Sequence, residues 1–256
     1  MGLFDIFKGG GGKSGKPSRD SAKPTAAATA AAKWAEKAAD RRAQNYDRQE
    51  ALAALAEMGT AEAVAALLKR FTFTMDPSIT DQEEKDGAYN GILKAGQAAI
   101  APVRAFATKA ESLAWPIKIL KDLLEQDAYV EELILWLSRW DTEYAKFIDA
   151  KLQMLSALSE CKHDKIAAAV TRFLEDVNGE ARFHAVNAVL AQEDETALGP
   201  LLVALENEES FRVKNKIADG ILARGWSLPE DRRDGVRKVL PPGFTIDGEG
   251  KLRKRA

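Results

Sequence analysis

The chain has 256 residues, 46% of them hydrophobic, a formal net charge of −2 and one cysteine, Cys161. That is apolar material for one large domain or two small ones, while the near-balance of charge excludes a field that would gather nucleic acid over the whole surface. One cysteine excludes an internal disulfide framework and fits a reducing, cytoplasmic address, and no apolar run approaches the ~18 residues that span a bilayer.

The first element is "GLFDIFK". On a helical wheel Leu3, Phe4, Ile6 and Phe7 share one arc with Asp5 and Lys8 opposite, so residues 1–8 read as a short amphipathic helix that orders only against a surface. The patch is too short for a secretory signal, and the myristoylation pattern fails because Ile6 stands where Ser or Thr is needed. Lys8, Lys13, Lys16, Arg19 and Lys23 against Asp5 and Asp20 leave a local charge of +3, which favours an acidic surface. Docking to a protein groove and weak contact with the inner membrane surface both fit.

Residues 9–25, "GGGGKSGKPSRDSAKPT", follow. The Gly12-Lys13-Ser14 triplet invites a phosphate-loop reading, but the required first glycine falls at Phe7, and no buried strand leads in. Four glycines in a row with Ser, Lys and two prolines make this a linker.

From Thr25 the composition turns to Ala, Glu, Lys and Arg, the strong helix formers, and predicts helix over about 25–58 with a break near Asn45-Tyr46. Gly59 and Gly96 each close one helical run and open the next. "SLAWPIKILKDLLEQ", "AYVEELILWLSRW", "TEYAKFIDAKLQMLSALSE", "DKIAAAVTRFLED", "GEARFHAVNAVLAQ", "TALGPLLVALEN" and "ESFRVKNKIADGILARG" continue the theme, with no strand up to about 224. Apolar faces of period 3.6 joined by short turns require an all-α stack of helical hairpins. In the tail, Phe244–Ile246 and Lys251–Arg253 flank the turn-forming Asp247-Gly-Glu-Gly250, which reads as a small hairpin capping the last helix or as a frayed end.

"RFLEDVNGEARFHAVNAVLAQ" and "VALENEESFRVKNKIADGILARG" resemble HEAT-type repeats: a helix ending in Leu and an acidic residue, a short turn, an Arg, then an Ala-rich helix. The resemblance pairs Arg182 with Arg212, is clearest over 165–225, weaker over 46–108 and faint over 109–160. It implies a right-handed α-solenoid over residues 26–234, with 235–256 as a tail. It also implies a non-catalytic scaffold or adaptor that binds protein partners, without cofactor or nucleic acid. Enzymes of HEAT type, lyases acting on chromophores or DNA glycosylases, are the alternative from another class, and a peripheral membrane adaptor is a third.

Chemistry-bearing residues are few. Cys161, His163 and Asp164 lack the second ligand pair that structural zinc needs, and His184 reads as a half-buried helix residue. The acidic groups Glu83-Glu84, Glu131-Glu132, Glu193-Asp194-Glu195 and Glu206 with Glu208-Glu209 read as solvated or capping, Glu208 being a surface residue, because adjacent helical side chains diverge by about 100°. Leu174 reads as core. In "VEELILWLSRWDTEYAKF" the apolar arc is wider than a surface helix needs, and Trp136 falls at its edge beside Glu132 and Arg139. Trp136, Arg139 and Trp140, with Leu3, Phe4, Ile6 and Phe7, are therefore the candidate partner-binding residues, since partly exposed Trp and Arg dominate binding hot spots.

Overall fold

The computed structural model describes residues 26–255. The docking segment 1–8 and the linker 9–25, with the phosphate-loop question, lie outside them. The described chain is all-α: α1 (Ala26–Ala39), α2 (Asn45–Met58), α3 (Ala61–Leu67), α4 (Ser78–Lys94), α5 (Gln97–Ala107), α6 (Ala114–Leu123), α7 (Gln126–Leu137), α8 (Asp149–Ser159), α9 (Asp164–Val170), α10 (Gly179–Ala191), α11 (Leu198–Asn207), α12 (Phe211–Arg224) and α13 (Arg233–Val239). Short 3-10 turns prolong α3 (Leu68–Thr72) and α9 (Thr171–Glu175). The strands are β1 (Phe244–Ile246) and β2 (Leu252–Lys254), an antiparallel hairpin with Phe244 opposite Lys254.

Helix boundaries follow local chemistry. Gly59 ends α2 at φ 61°, where a β-carbon would be strained, and Thr60 then caps α3 by accepting from the Ala63 amide. Gly96 opens α5 at φ 55° and ψ −126°, a region open to glycine. Asn178 accepts from the Glu180 and Ala181 amides to start α10.

The helices form two rows. Even-numbered helices touch in succession, α2 to α4, α4 to α6, α6 to α8, α8 to α10 and α10 to α12, and odd-numbered helices pack behind them. Neighbours in the even row run parallel. Arg48 meets Glu84 near the starts of α2 and α4, Glu57 meets Lys94 near their ends, and the same holds for Lys151 with Asp176 and for Cys161 with Gln192 across α8 and α10. Loops leading from odd to even helices therefore gather on one edge of the array, and those from even to odd helices on the other. One apolar core runs through the rows, from Ala31 to Leu252. Close approach is set by small residues: a β-carbon on Gly91 would lie 2.5 Å from Ala56 Cβ, and one on Gly220 would lie 2.3 Å from Leu190 Cδ1.

Several expectations change. The helix expected from Thr142 starts at Asp149, and 142–148 is irregular. Counted from the helix caps Asn178 and Ser210, Arg182 corresponds to Lys214 rather than to Arg212. Arg182 reaches inward to Glu208, whereas Arg212 pairs with Glu180 on the surface and lies over the Phe183 ring. Helix α13 runs through the expected boundary at 234, because Val236 is fully buried between α11 and the hairpin. The hairpin itself is ordered by Asp247, whose Oδ1 accepts from the Glu249 and Lys251 amides while Oδ2 accepts from Arg253.

The acidic clusters also divide. Within each of three groups one carboxylate points inward: Glu84, Glu132 and Glu208 are buried, while Glu83, Glu131 and Glu209 are exposed. For Glu83-Glu84 and Glu131-Glu132, both within helices, the 100° divergence that argued against convergence is what sends one of the pair into the core, whereas Glu208 turns inward from the extended residue that follows α11. Glu208 is therefore not a surface residue. Leu174 is buried as expected.

Candidate functional site

Buried and half-buried cations tie down the loops on the odd-to-even edge. The Arg48 guanidinium, fully buried, donates to Glu84, to Asn45 Oδ1 and to the Ala43 carbonyl at 2.5 Å. Arg70, also fully buried, donates from Nε to Glu84 (2.7 Å), from Nη2 to Asp81 (2.6 Å) and from Nη1 to the Phe73 carbonyl (3.1 Å). Lys151 bonds Asp176 at 2.7 Å and reaches the Glu143 carbonyl; Arg172 donates to the Leu137 and Trp140 carbonyls; Arg182 donates to Glu208 and to the Asp176 carbonyl. Cations suit the C-terminal ends of odd helices, whose last carbonyls lack helical partners. Burial would raise the carboxyls of Asp81 and Glu208, but hydrogen bonds from Lys85 and Arg70, and from Arg182 and the Ser210 amide, outweigh it and hold both below the usual carboxylate range.

The two edges carry different surfaces. Surface ion pairs lie on both, Glu57–Lys94, Lys121–Glu160 and Lys162–Glu193 on the even-to-odd edge and Lys37–Asp47 and Glu180–Arg212 on the odd-to-even edge. Every exposed large apolar side chain among the described residues, Tyr46, Ile79, Leu135, Tyr144, Phe147, Val177 and Phe211, sits at or beside the odd-to-even edge. Tyr144 is 84% exposed and Phe211 68%. The Val177 amide donates to the Thr142 carbonyl at 3.0 Å, which joins the 138–148 loop to the turn before α10.

The same edge holds a largely apolar cleft of about 580 Å³, lined by Phe71, Phe106, Ala110, Trp115 and Pro116 together with Lys109 and Glu111. Phe71 and Trp115 stack at 4.4 Å between centroids. Lys118 lies over Tyr89 and Trp115, and Tyr89 donates to Asp122; burial, then that carboxylate, push the Tyr89 hydroxyl up to about 12.

Of the expected residues, Trp136 and Arg139 share a shallow groove with Leu135 and the Arg104–Glu132 pair. Trp136 is only 4% exposed, so it forms the wall of that groove and is not the part-exposed anchor the helical wheel suggests; α7 packs against α6, α8 and α9 and needs the indole as core. Arg139 is exposed. Trp140 is half-buried, with Lys151 Nζ 6.0 Å from its ring, and belongs to the packing under the 138–148 loop. Leu3, Phe4, Ile6 and Phe7 lie outside the described residues.

His163 caps α9, its Nδ1 accepting from the Lys165 amide, and burial lowers the pKa of the half-buried His184 and raises that of Cys161. Among the described residues no group of three or more His, Cys, Asp or Glu is placed to hold a metal ion, and no helix is long and apolar enough to cross a membrane. Of the exposed apolar residues missed from sequence, Phe147, Val177 and Phe211 adjoin N-caps, Tyr46 and Ile79 lie two residues after theirs, and Leu135 lies in the last turn of α7; Tyr144 was hidden inside an expected helix. No family model matches the chain, and no curated protein matches its sequence.

Proposed function

We propose that the chain is a non-catalytic interaction protein, a HEAT-like α-solenoid that binds protein partners along its odd-to-even edge. The observation that carries this reading is the one-sided placement of apolar exposure: among the described residues all seven exposed large apolar side chains lie at or beside the odd-to-even edge, while surface ion pairs occur on both edges. Apolar side chains left exposed along one edge offer a partner surface to bury, and aromatic side chains offer large contact area at low entropic cost. The buried cations fix the loop backbones beforehand, which lowers the ordering cost of association. The chain address that fits this role is the cytoplasm.

The test compares two triple variants in the native host. Tyr144→Ser, Phe147→Ser and Phe211→Ser together should abolish co-purification of partners while leaving the helical circular dichroism unchanged. Lys94→Ser, Glu160→Ser and Lys162→Ser on the opposite edge should retain them. Loss of partners from the second set alone refutes the reading.

A further inference from the structure

The end of α5 stands between two hollows. On one flank Phe106, Lys109 and Ala110 line the aromatic cleft with Phe71 and Trp115; on the other, Arg104 and Thr108 line a shallow groove of about 440 Å³ with Leu135, Trp136 and Arg139 of the α7 end. The division follows from the helix itself. At about 100° per residue, positions 104 and 108 fall within about 40° of each other, while 106, 109 and 110 share an arc of about 100° on the other side.

The charges at these hollows are not balanced internally. Three cations and two carboxylates line them, Arg104, Lys109 and Arg139 against Glu111 and Glu132. Glu132 is buried and accepts from Arg104 Nε at 2.8 Å and Nη2 at 2.7 Å, so it is neutralised within the fold. The Arg104 side chain remains 51% exposed beside it. The Arg139 guanidinium and the Lys109 ammonium are exposed and have no side-chain partner among the described residues. Next to Arg139, Leu135 is 54% exposed over the Trp136 wall.

An occupant that matches both features carries apolar side chains for the cleft and for Leu135, and carboxylates for Arg139, Arg104 and Lys109. Guanidinium forks pair with carboxylates through two parallel hydrogen bonds, which fixes orientation as well as charge. Phe71 and Trp115 already stack on each other, and Lys118 lies over the Trp115 ring. That arrangement favours inserted side chains over stacked nucleic-acid bases, which need open ring faces.

We infer that the end of α5 receives an acidic segment of a protein partner, with an apolar or aromatic side chain in the Phe71–Phe106–Trp115 cleft and a carboxylate on Arg139 and Arg104. This rests on reading the odd-to-even edge as a binding surface and names the chemistry of what part of that edge binds.

The test selects a library of random short peptides, displayed on phage, against the purified full chain. Selected peptides should combine Asp or Glu with Leu, Ile, Phe or Trp, and their affinity, read by fluorescence anisotropy, should fall as salt rises. Lys109→Glu with Arg139→Glu should weaken them tenfold or more, as loss of paired charges does, and Ala110→Trp, which fills the cleft, should do the same. Lys121→Glu with Lys162→Glu on the opposite edge carries the same change in net charge and should leave affinity within twofold. Far-UV circular dichroism and the urea midpoint of each variant separate lost binding from lost folding. No enrichment, enrichment of basic or uncharged sequences, or acidic peptides indifferent to either set of substitutions at the α5 end overturns the inference. So does polyuridylate RNA that binds more tightly than every selected peptide and is lost in the same variants. Partner loss in the Tyr144, Phe147 and Phe211 variant, together with a failed peptide selection, would retain the binding edge and reject the acidic occupant.

Discussion

Glu84 and Glu83 are adjacent, and replacing each by glutamine separates a buried charge from a solvated one. Glu84 is 2% exposed and accepts from Arg48 Nε and Nη2 and from Arg70 Nε at 2.7–3.1 Å. Glu84→Gln removes the carboxylate that two fully buried guanidiniums share, and turns an amide donor toward donors that already face it. Breaking a buried pair by removing one partner costs about 3–5 kcal/mol, since the remaining charge stays desolvated. With an m value of about 3 kcal/mol/M, the urea midpoint at pH 7 should fall by about 1–1.7 M. Glu83→Gln, on the exposed face, should stay within about 0.5 kcal/mol of the parent. Urea unfolding followed by far-UV circular dichroism reads both. Equal midpoints for the two variants would refute the buried-clamp account of the odd-to-even loops.

Three further outcomes follow from the packing. Gly91→Ala should destabilise by about 1–3 kcal/mol in urea, because its methyl meets Ala56, whereas Gly87→Ala, with nothing within 4 Å on the same helix, should gain about 0.5–1 kcal/mol from helix propensity. Leu174→Ala should cost about 2–5 kcal/mol by the same measurement, the leucine being 4% exposed. Glu208 has its folded pKa below the ordinary 4.5, so its contribution is complete above that value and is lost as pH falls through the folded pKa; Glu208→Gln should flatten the acid limb of stability against pH, and Glu209→Gln should not.

The helical rows were legible because period-3.6 apolar faces and glycine stops are local signals: Gly59 and Gly96 punctuate the chain where expected, and the Asp247 turn closes a real hairpin. The binding edge was much less so. A helical wheel places Trp136 at the rim of an arc but cannot count the three helices that surround α7. Charge runs hide which carboxylate of a pair turns inward, as Glu84 and Glu208 do, because that depends on a cation from another element, 36 and 26 residues away for Arg48 and Arg182. Phe71 and Phe106 fit core spacing in sequence, and only the gap at Ala110–Ser112 between α5 and α6 leaves them facing a cleft. Arg182 and Arg212 match as letters, yet the caps assign them to different helix positions.

The central claim is that one edge of the array is the binding surface. Photo-reactive residues placed singly at Tyr46, Ile79, Tyr144, Phe147 and Phe211, and on the opposite edge at Lys94, Glu160, Lys162 and Glu193, test it most directly when cross-linked in the native host and identified by mass spectrometry. Discrete partner cross-links from the first set and background from the second are expected. Partner cross-links concentrated on the even-to-odd edge would contradict the account.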